Sequence, residues 1–247
     1  AGIWWGAFAV ITFSLLKSRP QKKRLPAGKG YVAAGFNEII ATIKEMRRLP
    51  LTLKFLIAYL IYNDGIQTVI FASSAFLEQE LFPGGNPKFL LQIFLFVQFV
   101  AVIGALLFER LAYLINTKNA IVVSLVIWAA VVIYAYGFLH TVPEAWIMAG
   151  VIAIVLGGSQ ALSRSLFSRM IPEDKEASFF GLYEVSDRGT SWMGPLLFSV
   201  VIARTGSYRD ALLSLIFFFI VGLIVLLITN TDKAIQQASA VSTESSS

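Results

Sequence analysis

The chain has no cysteine, one histidine and few charges, only 14% of its 247 residues being Asp, Glu, Lys or Arg. Without cysteine it has no disulfide, no thiolate metal site and no cysteine nucleophile. The lone His140 stands at a helix end beside Pro143, so a serine peptidase would lack its base deep in the structure. No cluster suited to a metal appears, and nothing calls for a cofactor. Soluble domains carry roughly 25% charged residues, so this composition excludes an ordinary soluble enzyme. What the chain has instead is apolar length. Hydrophobic residues make up 57% of it, the mean hydropathy is +0.73, and the fold class this implies is an all-α, polytopic membrane protein with the lipid bilayer as solvent.

Crossing about 30 Å of hydrocarbon takes some 18 or more consecutive apolar residues. Such stretches run from Leu51 to Ala75, Phe89 to Leu107, Ala120 to Leu139, Ala145 to Ile171, Phe180 to Ala203 and Leu212 to Asn230. An apolar run from Ile3 to Leu16 is too short to span. It lacks a basic leader, so it reads as the end of a truncated transmembrane helix (1–16) rather than as a signal peptide.

Lys17, Arg19, Lys22, Lys23, Arg24, Lys29, Lys44, Arg47 and Arg48 then face only Glu38 and Glu45. The positive-inside rule places this basic linker (17–50) in the cytoplasm. The net charge of +5 thus reports orientation, and nucleic acid is not an expected partner. Within the linker Phe36, Ile39, Ile40, Ile43 and Met46 recur at helical spacing opposite charged residues, as an interfacial amphipathic helix would have it; a linker helix packed on loops fits equally. The six spans fill 51–230. The tail, 231–247, is rich in Ser, Ala and Gln and is expected to be disordered and cytoplasmic.

Polar residues are concentrated in particular spans. Leu51 to Ala75 carries Tyr59, Tyr62, Asn63, Asp64, Gln67 and Thr68; Ala145 to Ile171 carries Gln160, Ser163, Arg164 and Ser168; Phe180 to Ala203 carries Glu184, Asp187, Arg188 and Ser191 on one helical face. Charges inside a span face a bundle interior, a wet cavity or each other. The third and sixth spans are nearly free of polar groups and are expected to face lipid, while the others line something wet. Ala149, Ala153, Gly157, Ala161 and Ser165 recur every fourth residue, the spacing of close helix contact. Gly194-Pro195 predicts a kink or hinge.

Six spans in this order resemble the C-terminal half of a major facilitator superfamily transporter. YNDG at Tyr62 to Gly65, GGSQALSRSLFSRMIP at Gly157 to Pro172 and EASFFGLYEVSDRGTSWMGP at Glu176 to Pro195 are similar to its vacuole-effluxer-like branch. GALLFERLAYLINTKN, from Gly104 to Asn119, is similar to the superfamily's loop signature but departs from it, Glu109 standing for the usual Asp and the second Gly being missing. The resemblance implies a secondary active transporter, not an enzyme. It would move a small polar solute by alternating access, with amino-acid efflux the branch's expectation, in a bacterial inner membrane or a vacuolar one. Its partner would be a missing N-terminal half.

At about 1.5 Å per residue, Asp64 lies roughly 20 Å into its helix and Asp187 and Arg188 roughly 10 Å into theirs. Asp64, Asn63, Tyr59, Gln67 and Gln160 are therefore the candidates for a substrate or proton pathway. Asp64 has no basic residue beside it in its own span, which makes it a candidate proton carrier; the alternatives are a direct contact to a substrate ammonium and a partner arginine in the missing half. Arg164, Glu184, Asp187 and Arg188, with Glu109 and Arg110, are the candidates for a charge cluster that gates the cytoplasmic side. A pore-lining channel is the alternative. An intramembrane aspartyl protease using Asp64 and Asp187 is a remote third, since GxGD is lacking and Arg188 adjoins Asp187.

Overall fold

A computed structural model describes residues 6, 9–10, 13–15, 31–172 and 175–246. Residues Ala1–Glu38 form one unit and Ile39–Ser247 the other. In the first, the described residues of the expected helix end at 1–16 are helical, and Val10, Phe13 and Leu15 are exposed. The remainder of that segment and the basic run at 17–30 lie outside the described residues.

Among the described residues every element of the second unit is a helix. Tyr31–Met46, which enters it at Ile39, is α1; Pro50–Leu81 is α2, Pro87–Ile115 α3, Thr117–Gly137 α4 and Val142–Arg169 α5. Glu176–Thr190 (α6), Met193–Thr205 (α7), Tyr208–Ser214 (α8), Ile216–Ile228 (α9) and Thr231–Ser246 (α10) complete the chain. Local chemistry sets the boundaries. Proline at the first turn of α2, α3 and α5 sits where its missing N–H is not needed. Asn86 Oδ1 caps α3 through Phe89 N at 3.1 Å, and Asn116 Oδ1 caps α4 through Lys118 N at 3.2 Å. Glu144 Oε2 accepts the His140 and Thr141 amides at 2.7 and 2.9 Å where α5 begins. Ser207 Oγ accepts the Asp210 amide at 3.1 Å to start α8.

Long-range hydrogen bonds fix the antiparallel order. At one end of the bundle, Thr52 Oγ1 in the first turn of α2 donates to Met170 O after α5, at 2.8 Å. At the same end Lys118 Nζ, from the start of α4, donates to Leu227 O and Thr229 O at 2.9 and 2.8 Å, satisfying carbonyls that α9 leaves open. At the other end Arg209 joins α8 to the ends of α2 and α4. Lys118→Met is expected to release the α9 terminus at a cost of about 2 kcal/mol for the two charge-assisted bonds. Hydrogen exchange checks this: amides of 228–235 should exchange faster, with α3 unchanged.

The tightest packing joins α3 to α5. Gly157 lies against the Ala101 backbone and Gly104 against that of Ile154, so the small-residue ridge read in the sequence does bring two backbones together. Ala149 and Ala153 on the same ridge are buried, while Ala161 is exposed.

Three expectations need correction. First, among the described residues five runs are long and apolar enough to cross a membrane where six were expected, α8 and α9 counting as one run, Tyr208–Ile228. The fifth expected span is divided between α6 and α7 at Ser191–Trp192, because Pro195 has no amide to donate back to Ser191 and its ring crowds that carbonyl. Second, the expected disordered tail is the helix α10, with Thr231, Ala234 and Ala238 buried. Ala234, Ala238 and Val241 at spacings of four and three give that helix an apolar stripe despite its polar composition. Third, the least buried span is the second: 11% of the apolar window of α3 is buried, against 44% for α4, where Trp128, Ile121 and Val132 form core.

Candidate functional site

The polar side chains of α2 enter the bundle because Pro50–Leu81 is its central helix, packed against α5, α6, α7 and α9. Tyr62, Asn63 and Asp64 are all at most 2% exposed. Each is committed to a different neighbour. The Tyr62 hydroxyl lies 2.6 Å from Ser163 Oγ, and the Ser163 proton is itself directed to Ser159 O at 2.5 Å, so Tyr62 is the donor to Ser163. Asn63 Nδ2 donates to Asp187 Oδ1 on α6 at 2.5 Å. Asp64 Oδ2 accepts the backbone N–H of Gly194, in the first turn of α7, at 2.6 Å. The remaining oxygens, Asn63 Oδ1 and Asp64 Oδ1, are buried with no partner among the described residues. A buried acceptor without a donor is costly, so each of these oxygens is a position where a further donor would be favourable.

Beside these residues opens a cavity of about 530 Å³, lined by Gln67, Thr68 and Phe71 of α2, by Asp187 and Arg188 of α6, and by Ser191 and Pro195 at the discontinuity. Gly194 is required at its edge, since a Cβ there would meet the Thr68 side chain and approach Asp64 O to 3.1 Å. Tyr59 stacks on Tyr183 with centroids 4.4 Å apart, and Tyr183 also packs on Phe167 at 4.9 Å, an aromatic wall between α2, α5 and α6.

The predicted residues fall into four places. Asn63, Asp64 and Asp187 come together, with Gln67 and Arg188 lining the cavity and Tyr59 on the aromatic wall. Arg164 and Glu184 form an ion pair of 2.7 Å on α5 and α6, with Arg164 also 5.5 Å from the Phe180 ring centroid. Gln160 is exposed and does not line the cavity. Glu109 and Arg110 depart from the expected cluster. They are exposed at the far end of α3, where Glu109 shares a second cavity of about 460 Å³ with Arg169, Asn116 and Asp232. Phe108 packs on Gly158, so these two lie level with the turns of α5 that carry Gln160 and Arg164, but on the exposed face of α3.

Sequence reasoning missed Gly194 as the donor to Asp64, and it missed Arg209. The Gly194-Pro195 pair signalled a hinge, but nothing in the spacing said which side chain would hold it.

Apolar antiparallel helices enclosing amide and carboxylate side chains beside a cavity make this an all-α polytopic membrane protein with a polar interior. Within that class the chain belongs to the family described as vacuole effluxer Atg22 like, which matches residues 1–239. It is similar to an uncharacterized MFS-type transporter, YxiO, of Bacillus subtilis, with 35% identity over 239 residues, 95% of this chain and 54% of the relative. It is also similar to autophagy-related protein 22 of Kluyveromyces lactis, 30% identical over 98% of this chain and 52% of that protein. With autophagy-related protein 22-1 of Penicillium rubens the identity is 26%, over 98% of this chain and 44% of that protein. The chain thus spans about half the length of these curated relatives. No solved structure matches it.

Proposed function

We propose that the chain is the C-terminal half of a secondary active transporter that moves a small polar solute by alternating access, with Asp64 carrying a proton through the cycle. The observation that carries this reading is Asp64 itself, 2% exposed in the middle of a membrane-length helix, with one oxygen held by Gly194 N and the other without a partner among the described residues. A carboxylate so placed has a site for a proton and no fixed cation to replace it. The adjoining cavity offers Gln67, Thr68, Asp187, Arg188 and Ser191 to a solute with both donor and acceptor groups. Membership of a family named for vacuole effluxers, and a relative named as an MFS-type transporter, support transport over catalysis. The share of the relatives covered supports a second half that closes the cavity from the other side.

Arg164 and Glu184 serve as the gate in this scheme, on the cytoplasmic side together with the basic linker and the C-terminal helix. The membrane is a bacterial inner membrane or a vacuolar one. Amino acids are the solutes to try first.

The test is counterflow of radiolabelled amino acids in proteoliposomes of the whole transporter, with parent and Asp64→Asn compared across pH. Asparagine keeps an acceptor for Gly194 N–H but cannot release a proton. Saturable counterflow should persist in the variant while pH-gradient-driven accumulation falls at least about tenfold, the loss expected when coupling through one essential group is removed. Unchanged accumulation with unchanged pH dependence would sink proton coupling through Asp64, and non-saturable flux would point to a channel.

A further inference from the structure

Adjacent residues of one buried helix hold the two halves of the discontinuous helix separately. Asn63 donates to Asp187, in the last turn of α6, and Asp64 accepts from Gly194, in the first turn of α7. Between these anchors the chain has no continuous helical hydrogen bonding: α6 ends at Thr190, Trp192 N turns back to Thr190 O at 2.7 Å, and the ladder restarts with Leu196 N to Trp192 O at 3.0 Å. Ser191 Oγ donates to Asp187 O at 2.5 Å, completing the end of α6. Thr68, one turn beyond Asp64 on α2, presses against Gly194, so α7 is located by contact as well as by hydrogen bond. The cavity wall is made from both sides of the break, Asp187 and Arg188 before it and Pro195 after it. The angle between α6 and α7 therefore sets the shape of the cavity.

We infer that Asn63 and Asp64 are positioning residues that clasp α6 and α7 independently and so set the angle of the hinge at Ser191–Trp192. Each is a single hydrogen bond to a half-helix, and either can be released without breaking the other. A solute or proton that takes Asp187 or Asp64 away from its partner then moves one half of the helix and leaves the other in place. This inference concerns the cavity assigned above and rests on that reading for its functional meaning. Its test requires no transport, so the two can fail separately.

The chain has no cysteine, and Val185 on α6 and Val200 on α7 are exposed, at 51% and 39%. Spin labels on Val185→Cys and Val200→Cys in the whole transporter, reconstituted in lipid nanodiscs, report the α6–α7 separation by pulsed electron resonance. Asp64→Ala, which removes the hydrogen-bonded anchor of α7, and Asn63→Ala, which removes that of α6, should each shift the distance distribution and broaden it about twofold as a second orientation becomes populated. Asp64→Asn should restore the parental distribution because its amide oxygen still accepts from Gly194. Gly194→Ala probes the same anchor without removing a polar group: the new methyl meets Thr68 and should displace α7, and Gly194→Ala/Thr68→Ala should bring it back. A role confined to stability would lower the melting temperature of these variants and leave the distances parental. Parental distributions in Asp64→Ala and Asn63→Ala, or in Gly194→Ala where those two do not fold, would overturn the inference.

Discussion

Gly157→Leu is expected to prevent α3 and α5 from docking, cutting the yield of folded protein severely and costing about 3 kcal/mol or more in whatever is recovered. A Cβ at 157 would meet the Ala101 carbonyl and lie 3.0 Å from Ala105 N. These obstacles are backbone atoms of a neighbouring helix, which cannot rotate aside as a side chain can. A leucine therefore has to separate the helices, and separation loses contacts along the whole seam, including Gly104 against Ile154 and Gly158 against Phe108. In a bilayer the hydrophobic effect does not restore what is lost, since lipid is as apolar as the helix and association rests on close packing. Gly181 is the control: a Cβ there meets nothing within 4 Å. Gly181→Ala should be neutral or stabilise by up to about 1 kcal/mol through helix propensity. Thermal unfolding followed in detergent separates the two outcomes, and equal melting temperatures for Gly157→Leu and the parent would refute the packing argument.

The Gly157 ridge was legible because small residues every fourth position lie on one helical face, whatever they meet. The same kind of reasoning found the buried polar face of α2 and the stripe that carries Asp187. It could not say that Asn63 would reach Asp187, 124 residues away, or that Asp64 would take the amide of Gly194, 130 residues away. Periodicity reports which face a residue occupies and not which helix that face meets. Burial was misjudged for a related reason. Few polar residues in Ala120 to Leu139 suggested a lipid-facing helix, yet Trp128 is fully buried and stacks on Phe219 at 5.8 Å. An apolar helix suits a bundle core as well as it suits lipid, so composition alone does not decide between them. The tail was misread from composition too, its Ala234–Ala238 stripe being small side chains that contribute little to a hydropathy average.

Arg209→Ala is expected to cost about 3 to 5 kcal/mol, the range for breaking a largely desolvated ion pair from one side. Arg209 Nε pairs with Glu80 Oε2 at 2.7 Å, and its two terminal nitrogens donate to Tyr136 O at 2.9 Å, Ala135 O at 3.2 Å and Leu139 O at 2.6 Å. Only 21% and 22% of the Arg209 and Glu80 side chains are exposed. Removing the guanidinium strands a carboxylate and uncaps the end of α4, and a lysine, with one nitrogen and no planar fork, should recover only part of the loss. Arg164–Glu184 has the same N to O distance, 2.7 Å, but its side chains are 59% and 45% exposed. An exposed pair of that kind contributes about 0 to 1 kcal/mol, so Arg164→Ala should barely change the melting temperature. The contrast bears on mechanism. A contact that opens and closes in every cycle must be weak enough for a bound solute to outweigh, whereas one that keeps helices moving together must not open at all. By magnitude the first description suits Arg164–Glu184 in the proposed cycle, and the second Arg209, which joins α2, α4 and α8 at the opposite end of the bundle. Should Arg164→Ala prove as destabilising as Arg209→Ala, the exposed pair would be structural and the gate would have to be sought elsewhere.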